Sequence, residues 1–483
     1  MNEKPLLVQA IDALQAGDRD SALALFAQEL REGPETGDRW RSVAMVARKI
    51  GETRLAIEAA RRFAATQPQT LQRILFYWDM LATLGREDEV EREAKHLSPA
   101  TRNQASIQHL LGTIAAGRGD NRAAEEHFRA AIAAPGFAPT SWFALSMIKS
   151  FGPDDPDISA MEKDLAAARD LPDDAAARYR YALGKAYLDS GEVDRAMKHY
   201  RAGASIRRRS ETYDRAAIER QVDTIISDFD AAALSSLMPS RYEGSRALFV
   251  NGVPRSGSTL VEQILTSHSA VEDGGEISLI DAALLPLGGP RIDLARSYEQ
   301  RAGSSDPWGT LAAKYEQLLE QRFGADGLIV DKTLLQSNNT GLLLHMLPDA
   351  RMVWMKRNPR DAAWSTYRNY FTGALPFSWD LGDIGHFYRM QDRLHEHWTA
   401  LFPDRIRTLQ YEELVKQPET HIRDLAAFYG LGFEDAMLHP HRTERSVRTA
   451  SVSQVRAPIH ERAVRQSSDI DAYLEAFDAV YDG

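Results

Sequence analysis

The N-terminal half of the chain alternates apolar clusters with charged residues at helical spacing, and it does so with a long period. In "YALGKAYLDSGEVDRAMKHY" and "HLLGTIAAGRGD" apolar and small residues recur every three or four positions, break at a glycine and resume. The breaks are regular: Gly17, Gly51, Gly85 and Gly119 stand 34 residues apart, and Gly152 and Gly191 extend the series less evenly. Five residues after five of these glycines come Ala22, Ala56, Val90, Ala124 and Ala196, small enough for close helix packing, and nine residues after three of them come Phe26, Phe128 and Tyr200. Pro34 and Pro68, each 17 residues after its glycine, end their second helices. The irregular stretch "FGPDDPDISAMEKDLAAARDLPDD" predicts a distorted repeat with loop insertions, and "ETYDRAAIERQVDTIISDF" predicts a last helix that caps the stack. Charge-rich strings such as "REDEVERE" read as solvated helix faces.

Beyond about residue 240 the pattern changes. "ALFVNG", residues 247–252, is a short apolar run ending in a turn, as a buried strand does, and "STLVEQILTSH" follows with helical spacing. "GLIVDKT" and "ARMVWMKRN" repeat the design, each leading through polar residues towards a helix. Such alternation predicts a mostly parallel sheet whose ligands gather at the carboxyl ends of the strands. "QDRLHEHWTALFPDRIRTLQYEELV" predicts a helix, a loop and a short strand, and residues 280–326 an insertion placed to cap a site. The aromatic string "YFTGALPFSWDLGDIGHFY" reads equally as the wall of an acceptor cleft or as packing core. A period of 34 residues is that of tetratricopeptide repeats. The expected fold is therefore an α-helical tetratricopeptide-repeat solenoid over residues 1–240, followed over residues 241–483 by an α/β, P-loop-like domain with a mostly parallel sheet. The concave groove of such a solenoid typically presents a binding surface.

Composition narrows the chemistry. A chain of 483 residues exceeds what one core supports, which suits two domains. It has no cysteine, so disulfides and thiolate metal sites are excluded and a reducing cytoplasm fits. A formal net charge of -11 argues against a general nucleic-acid surface. No apolar run reaches membrane-spanning length and no signal peptide stands at the N-terminus, so a cytoplasmic protein is expected. His395 and His397 do not share a helix face, and no metal site is expected.

In "NGVPRSGSTLVEQIL", residues 251–265, Gly252 and Gly257 have the spacing of a Walker A loop, but Ser258 and Thr259 follow where that loop carries Lys and then Ser or Thr. Backbone N–H groups of residues 256–259 would still point at an anion from a helix N-terminus, and Arg255, Ser256, Ser258 and Thr259 add side-chain donors. Arg357, directly after "MVWM", and Ser365, eight residues on, predict a second anion site. On these residues alone a nucleotide kinase or NTPase and a non-catalytic repeat scaffold with a nucleotide-binding domain both stay open.

"VPRSGSTL", "RNPRDAAWS" and the intervening "GGE" resemble sulfotransferases that use 3′-phosphoadenosine 5′-phosphosulfate (PAPS), in the manner of bacterial tetratricopeptide-repeat sulfotransferases and the related tyrosylprotein sulfotransferases. The resemblance covers roughly residues 245–460. It implies transfer of a sulfuryl group from PAPS to a hydroxyl acceptor, leaving 3′-phosphoadenosine 5′-phosphate (PAP), without metal; a donor with no γ-phosphate has no use for the Walker lysine. By resemblance Arg255, Ser256, Gly257, Ser258 and Thr259 hold the 5′-phosphosulfate, while Arg357 and Ser365 hold the 3′-phosphate. Tyr411 in "LQYEELV" meets the nucleotide, and Arg456 in "SQVRAPI" belongs to a C-terminal donor segment. Glu276 is implied as general base, with Lys332 and Arg255 stabilising charge on the bridging oxygen. His268 reads as a structural cap near the end of a helix. There are departures: Gly275 and Ser278 stand where the tyrosylprotein enzymes carry a second glutamate and an arginine, and "HERAVRQSSD" lacks the tryptophan found in bacterial relatives. Acceptor hydroxyls in view are those of tyrosine in a peptide, a sugar, a lipid or a small phenol, and the upstream repeats favour an extended molecule held by their groove.

Overall fold

The computed structural model of the chain describes residues 4–167, 171–371, 373, 375–442, 457–461, 464 and 467–483. Its first part is a run of helix–turn–helix units: Leu6–Gln15 with Arg19–Glu32, Arg39–Lys49 with Thr53–Ala64, Leu71–Thr83 with Glu87–Lys95, Ala105–Gly117 with Asn121–Ala133, and Asp173–Asp189 with Val193–Arg208. The phased glycines make the turns. Gly17, Gly51, Gly85, Gly119 and Gly191 have φ of 76°, 79°, 90°, 81° and 83°, a left-handed backbone that side chains other than glycine seldom adopt. Gly152 departs from this. In the irregular unit the helices Pro139–Ile148 and Pro156–Ala167 are joined by a longer linker in which Asp154, φ 61°, takes the left-handed position. Lys149 staples that linker, donating to Asp155 at 2.8 Å and Asp157 at 2.6 Å.

The small and aromatic positions pack as their spacing requires. Ala22, Ala56, Val90, Ala124 and Ala196 are fully buried, and Phe26, Phe128 and Tyr200 lie beside them in the core. Gly112 and Gly184, on first helices, leave room for the rings of the second: a Cβ at 112 would sit 2.6 Å from Phe128, and one at 184 would sit 2.8 Å from Tyr200. The helix Arg215–Asp228, expected as a cap on the stack, instead turns its apolar stripe away from the repeats. Val222, Ile225 and the following Phe229 join the core of the sheet domain, where Phe229 meets Trp398 edge-on at 5.6 Å.

Five strands follow: β1 Ala247–Gly252, β2 Val271–Gly275, β3 Leu328–Asp331, β4 Met352–Lys356 and β5 Ile406–Gln410. They form one sheet in the order β2-β3-β1-β4-β5, with every pairing parallel. Alternate residues serve opposite layers. Phe249, Ile329, Met352 and Trp354 belong to one apolar core, and Leu248, Val250, Val330, Val353 and Met355 to the other, which explains why these strands read as unbroken apolar runs. The insertion at 280–326, expected as a cap, supplies part of the first layer. Its helix Pro307–Phe323 buries Trp308, Tyr315, Leu318 and Leu319, and Tyr315 stacks on Phe249 of β1 at 5.9 Å.

Solenoid and sheet share a core. Tyr181 packs edge-on against Tyr370 at 5.4 Å and Trp379 at 5.9 Å, and Tyr200 against Trp364 at 5.7 Å. The aromatic string after Ser365 is therefore packing core between the repeats and the helix Pro359–Tyr367, with Tyr370, Phe377 and Trp379 buried in it. At the other end of the solenoid Arg19 pairs with Glu52 at 2.8 Å and donates to the carbonyl of Ala282 at 3.3 Å. No helix among the described residues is long and apolar enough to cross a membrane.

The tight approach at Gly184 yields a test. Gly184→Ala should lower unfolding stability by about 1–3 kcal/mol, because the added methyl must displace the ring of Tyr200 in a close-packed interior. Urea denaturation reads this directly, and an unshifted midpoint would show that Tyr200 does not pack on this turn of helix.

Candidate active site

The predicted site residues converge at the carboxyl ends of the strands. β1 runs into the turn 253–257 and the helix Ser258–Thr266, the strand–loop–helix setting in which backbone N–H groups converge on an anion. Two backbone constraints shape this turn. Arg255 has φ 69°, and Gly257 has φ 99° with Tyr411 packed so closely that a Cβ at 257 would lie 2.5 Å from its ring. Behind the turn, Tyr388 donates to the carbonyl of Pro254 at 3.1 Å, and Thr366 reaches the same oxygen at 3.3 Å. The loop is thus fixed from the adjoining helices and does not rest on its own sequence alone.

Arg357 follows β4, the neighbour of β1, and donates to the carbonyl of Arg255 at 3.0 Å. Arg255 in turn donates through Nε to the hydroxyl of Ser365 at 2.8 Å. The two anion sites read separately from the sequence are therefore one connected cluster. Tyr411, at the end of β5, completes it, with the Arg357 guanidinium 4.9 Å over its ring. Burial, together with Arg368 and Arg357, depresses the Arg255 guanidinium to about 9. Arg368, one turn beyond Ser365, is depressed as well, first by burial. Such a concentration of buried positive charge is a receptacle for an anion. Ser256 is fully buried, and its hydroxyl has no hydrogen-bond partner among the described residues.

On the other side of β1 lie β3 and then β2. Lys332 follows β3 and is fully buried; Glu276 follows β2, and its side chain is half exposed. Lys332 donates to Glu276 at 3.0 Å and stands 3.6 Å from Glu262 on the helix of the phosphate-type loop. Burial works against the ammonium, but the carboxylates of Glu262 and Glu276 outweigh it and hold the Lys332 pKa above its ordinary value. Glu262 and Arg368 were not among the residues picked out from the sequence. A glutamate three residues past Thr259 carries no signal of its own until β3 brings Lys332 to it. Gly275 and Ser278, which flank the Glu276 turn, both have left-handed backbones, φ 68° and 52°. Ser278 is anchored by its N–H to Thr333 at 2.8 Å.

His268 stays apart from this cluster, accepting from the N–H of Ala270 at 3.1 Å and facing Glu434 at 3.5 Å, as befits a cap. Arg456 lies outside the described residues. Among the described residues no group of carboxylates and histidines is disposed to hold a metal ion.

Residues 247–435 match the model of the sulfotransferase family, and residues 7–69 and 177–209 match tetratricopeptide repeats. The chain is 31% identical over 317 residues to a protein of Aquifex aeolicus (strain VF5), covering 63% of this chain and 41% of that one, so it spans less than half of that relative. It is 24% identical over 247 residues to a putative protein-tyrosine sulfotransferase of Caenorhabditis briggsae, covering 49% of this chain and 85% of the relative. Among solved structures it is similar to the sulfotransferase domain of the Synechococcus PCC 7002 olefin synthase, at 17% identity and a TM-score of 0.30, covering 49% of this chain and 98% of that domain.

The depressed Arg255 gives a pH test with a definite sign. The folded chain holds this proton less firmly than the unfolded chain, so without an anion the arginine costs stability at neutral pH. That cost is relieved as pH rises past about 9, where the buried guanidinium gives up its proton before the unfolded chain does. An anion bound beside Arg255 opposes the cost while the guanidinium is charged. Inorganic sulfate should therefore raise the melting temperature at pH 7.5, and the gain should shrink as pH passes 9. A gain that stays constant to pH 10, or survives in Arg255→Met, would show that the anion binds elsewhere.

Proposed function

We propose that this chain, a sulfotransferase-family domain joined to tetratricopeptide repeats, moves a sulfuryl group from PAPS to a hydroxyl acceptor. In this reading residues 1–240 form the repeat part and residues 241–483 the catalytic part. The observation that carries it is the sheet order. It sets Glu276, Lys332, the Arg255 loop, Arg357 and Tyr411 side by side along one edge, with a carboxylate at one end and guanidiniums at the other.

Each residue has a part. The N–H groups of the loop, with Arg255, Ser256, Gly257, Ser258 and Thr259, bind the 5′-phosphosulfate. Arg357 and Ser365 bind the 3′-phosphate, and Tyr411 packs against the nucleotide, with Arg456 contributing from the C-terminal segment. Gly257 fits this role because any larger residue would collide with Tyr411 where the donor must approach the backbone. The acceptor oxygen attacks sulfur, and its new S–O bond forms as the bond from sulfur to the bridging phosphate oxygen breaks. The electron pair leaves on that oxygen, and the acceptor's proton passes to Glu276. Lys332, buried between Glu276 and Glu262, is a fixed positive charge beside the transfer, where it stabilises the oxygen that becomes negative. Arg255 shares that task. Relatives named as protein-tyrosine sulfotransferases support a protein hydroxyl as acceptor, and a chain without cysteine fits work in a reducing cytoplasm.

Calorimetric titration with PAP, beside ATP with Mg²⁺, tests the donor site. PAP should bind and ATP should not, and Arg357→Ala should weaken PAP by about tenfold or more, as loss of a charged partner does. Glu276→Gln should leave PAP affinity unchanged and lower kcat by roughly 10²–10⁴-fold, the usual worth of a positioned base. Absence of PAP binding would overturn the assignment, and full turnover by Glu276→Gln would remove the base from it.

A further inference from the structure

The ammonium of Lys332 is buried, and two other elements hold the residue that carries it. Its backbone N–H donates to the carbonyl of Gly275 at 3.0 Å, which fixes the root of the side chain against the Glu276 turn. Its Nζ donates to Glu276 at 3.0 Å and lies 3.6 Å from Glu262. The two carboxylates differ in their surroundings: the Glu276 side chain is 49% exposed and that of Glu262 4%. Glu262 stands in the helix Ser258–Thr266, just after the turn that holds Arg255. A Cβ at Gly275 would lie 3.9 Å from Glu262 Oε1, so this carboxylate adjoins the Glu276 turn as well as the lysine.

The other charges near the ammonium are few. Asp273 on β2 attracts it more weakly, and Asp331, next to it on β3, belongs to the opposite layer, where Tyr315 donates to it at 2.8 Å. Burial penalises the ammonium, and the largest single attraction that opposes burial is the one to Glu262. In the transfer proposed above, Glu276 takes the acceptor's proton and becomes neutral. Lys332 then loses one of its two near counter-charges, at the step where the oxygen leaving sulfur most needs a cation. A buried ammonium with no counter-charge gives up its proton. With Glu262 present, proton uptake takes the three groups from one net negative charge to none; without it, the same step would leave a buried, uncompensated positive charge. Glu262, closed off from solvent, is the carboxylate that stays charged.

We infer that Glu262 is a positioning residue: it keeps the Lys332 ammonium charged and in place when Glu276 has taken the acceptor's proton. The inference rests on the sulfotransferase reading and adds to it a residue that acts through the lysine. It also explains a buried carboxylate one turn into a helix whose N-terminus faces an anion. Such a carboxylate would repel that anion unless a cation neutralised it, and Lys332 does so.

Glu276→Gln imitates the protonated base, with the same shape and no charge. In the full chain, isotopically labelled at lysine Cε, the Lys332 resonance is the one lost in Lys332→Arg, and its chemical shift follows the ammonium through a pH titration. In Glu276→Gln the lysine should stay charged to about pH 9. Adding Glu262→Gln should bring its midpoint below about pH 8, as happens to buried lysines without a partner. Glu262→Gln alone carries the test if the double variant does not fold: its Lys332 should bind the proton at least about tenfold more weakly than in the wild type. Asp273→Asn should move the midpoint less. A packing role for Glu262 would change the melting temperature and leave the Lys332 titration where it is. An unmoved midpoint in the Glu262 variants, or an equal movement in Asp273→Asn, therefore overturns the inference. Titration of the wild type with PAP separates this from the parent reading. If PAP binds, only the role of Glu262 falls; if it does not, the sulfotransferase reading and the inference fall together.

Discussion

Burying a guanidinium without water is costly, and the turn after β1 buries Arg255 in a left-handed backbone beside two further arginines. Much of the surrounding structure serves to hold it there. Arg357 clamps its carbonyl, Ser365 accepts from its Nε, and Tyr388 with Thr366 fixes the carbonyl of Pro254 before it. Each partner comes from a different stretch of chain, so the cluster exists only once the sheet and its helices have closed. The charge that burial makes costly is one that an anion would offset, which would couple anion binding to the integrity of this corner.

The solenoid is part of that support. The helix Pro359–Tyr367, which carries Ser365, has Trp364 and Tyr367 in the core shared with Tyr181 and Tyr200 of the last repeat. Moving the repeats would therefore move Ser365. At the far end, the Arg19–Glu52 pair and the contact with Ala282 fasten the first repeats near the Glu276 turn. Between the two fastenings a cleft is lined by Met45, Arg48 and Lys49 of the repeats and by Glu276 and Ser278 of the sheet domain.

On the β3 side of β1 one buried lysine organises two carboxylates. Lys332 keeps its charge because Glu262 lies behind it and Glu276 in front. Glu262 is almost fully buried, while Glu276 is half exposed. Gly275 and Ser278, unlike the residues of the tyrosylprotein enzymes at these positions, put two left-handed turns around this carboxylate.

The sequence by itself determined what is local or periodic. A turn that needs positive φ selects glycine, so the 34-residue phase was legible, as were the small and aromatic positions that meet across each helix pair. The apolar runs of β1, β3 and β4 declared a sheet buried on both faces, and the loop from Arg255 to Thr259, with Arg357, Ser365, Tyr411, Glu276 and Lys332, carried motifs enough to be picked out. What only the tertiary structure decided is adjacency. Strand order is set by which apolar faces pack together, and no single segment encodes it, so the position of Lys332 between Glu276 and the loop, and the role of Glu262, could not be read along the chain. The same reason explains the apolar stripes of the helices 215–228 and 307–323 and the aromatics after Ser365. Each stripe announced that it would be buried, but not against what, and the larger apolar surface of the folded whole claimed them for its core.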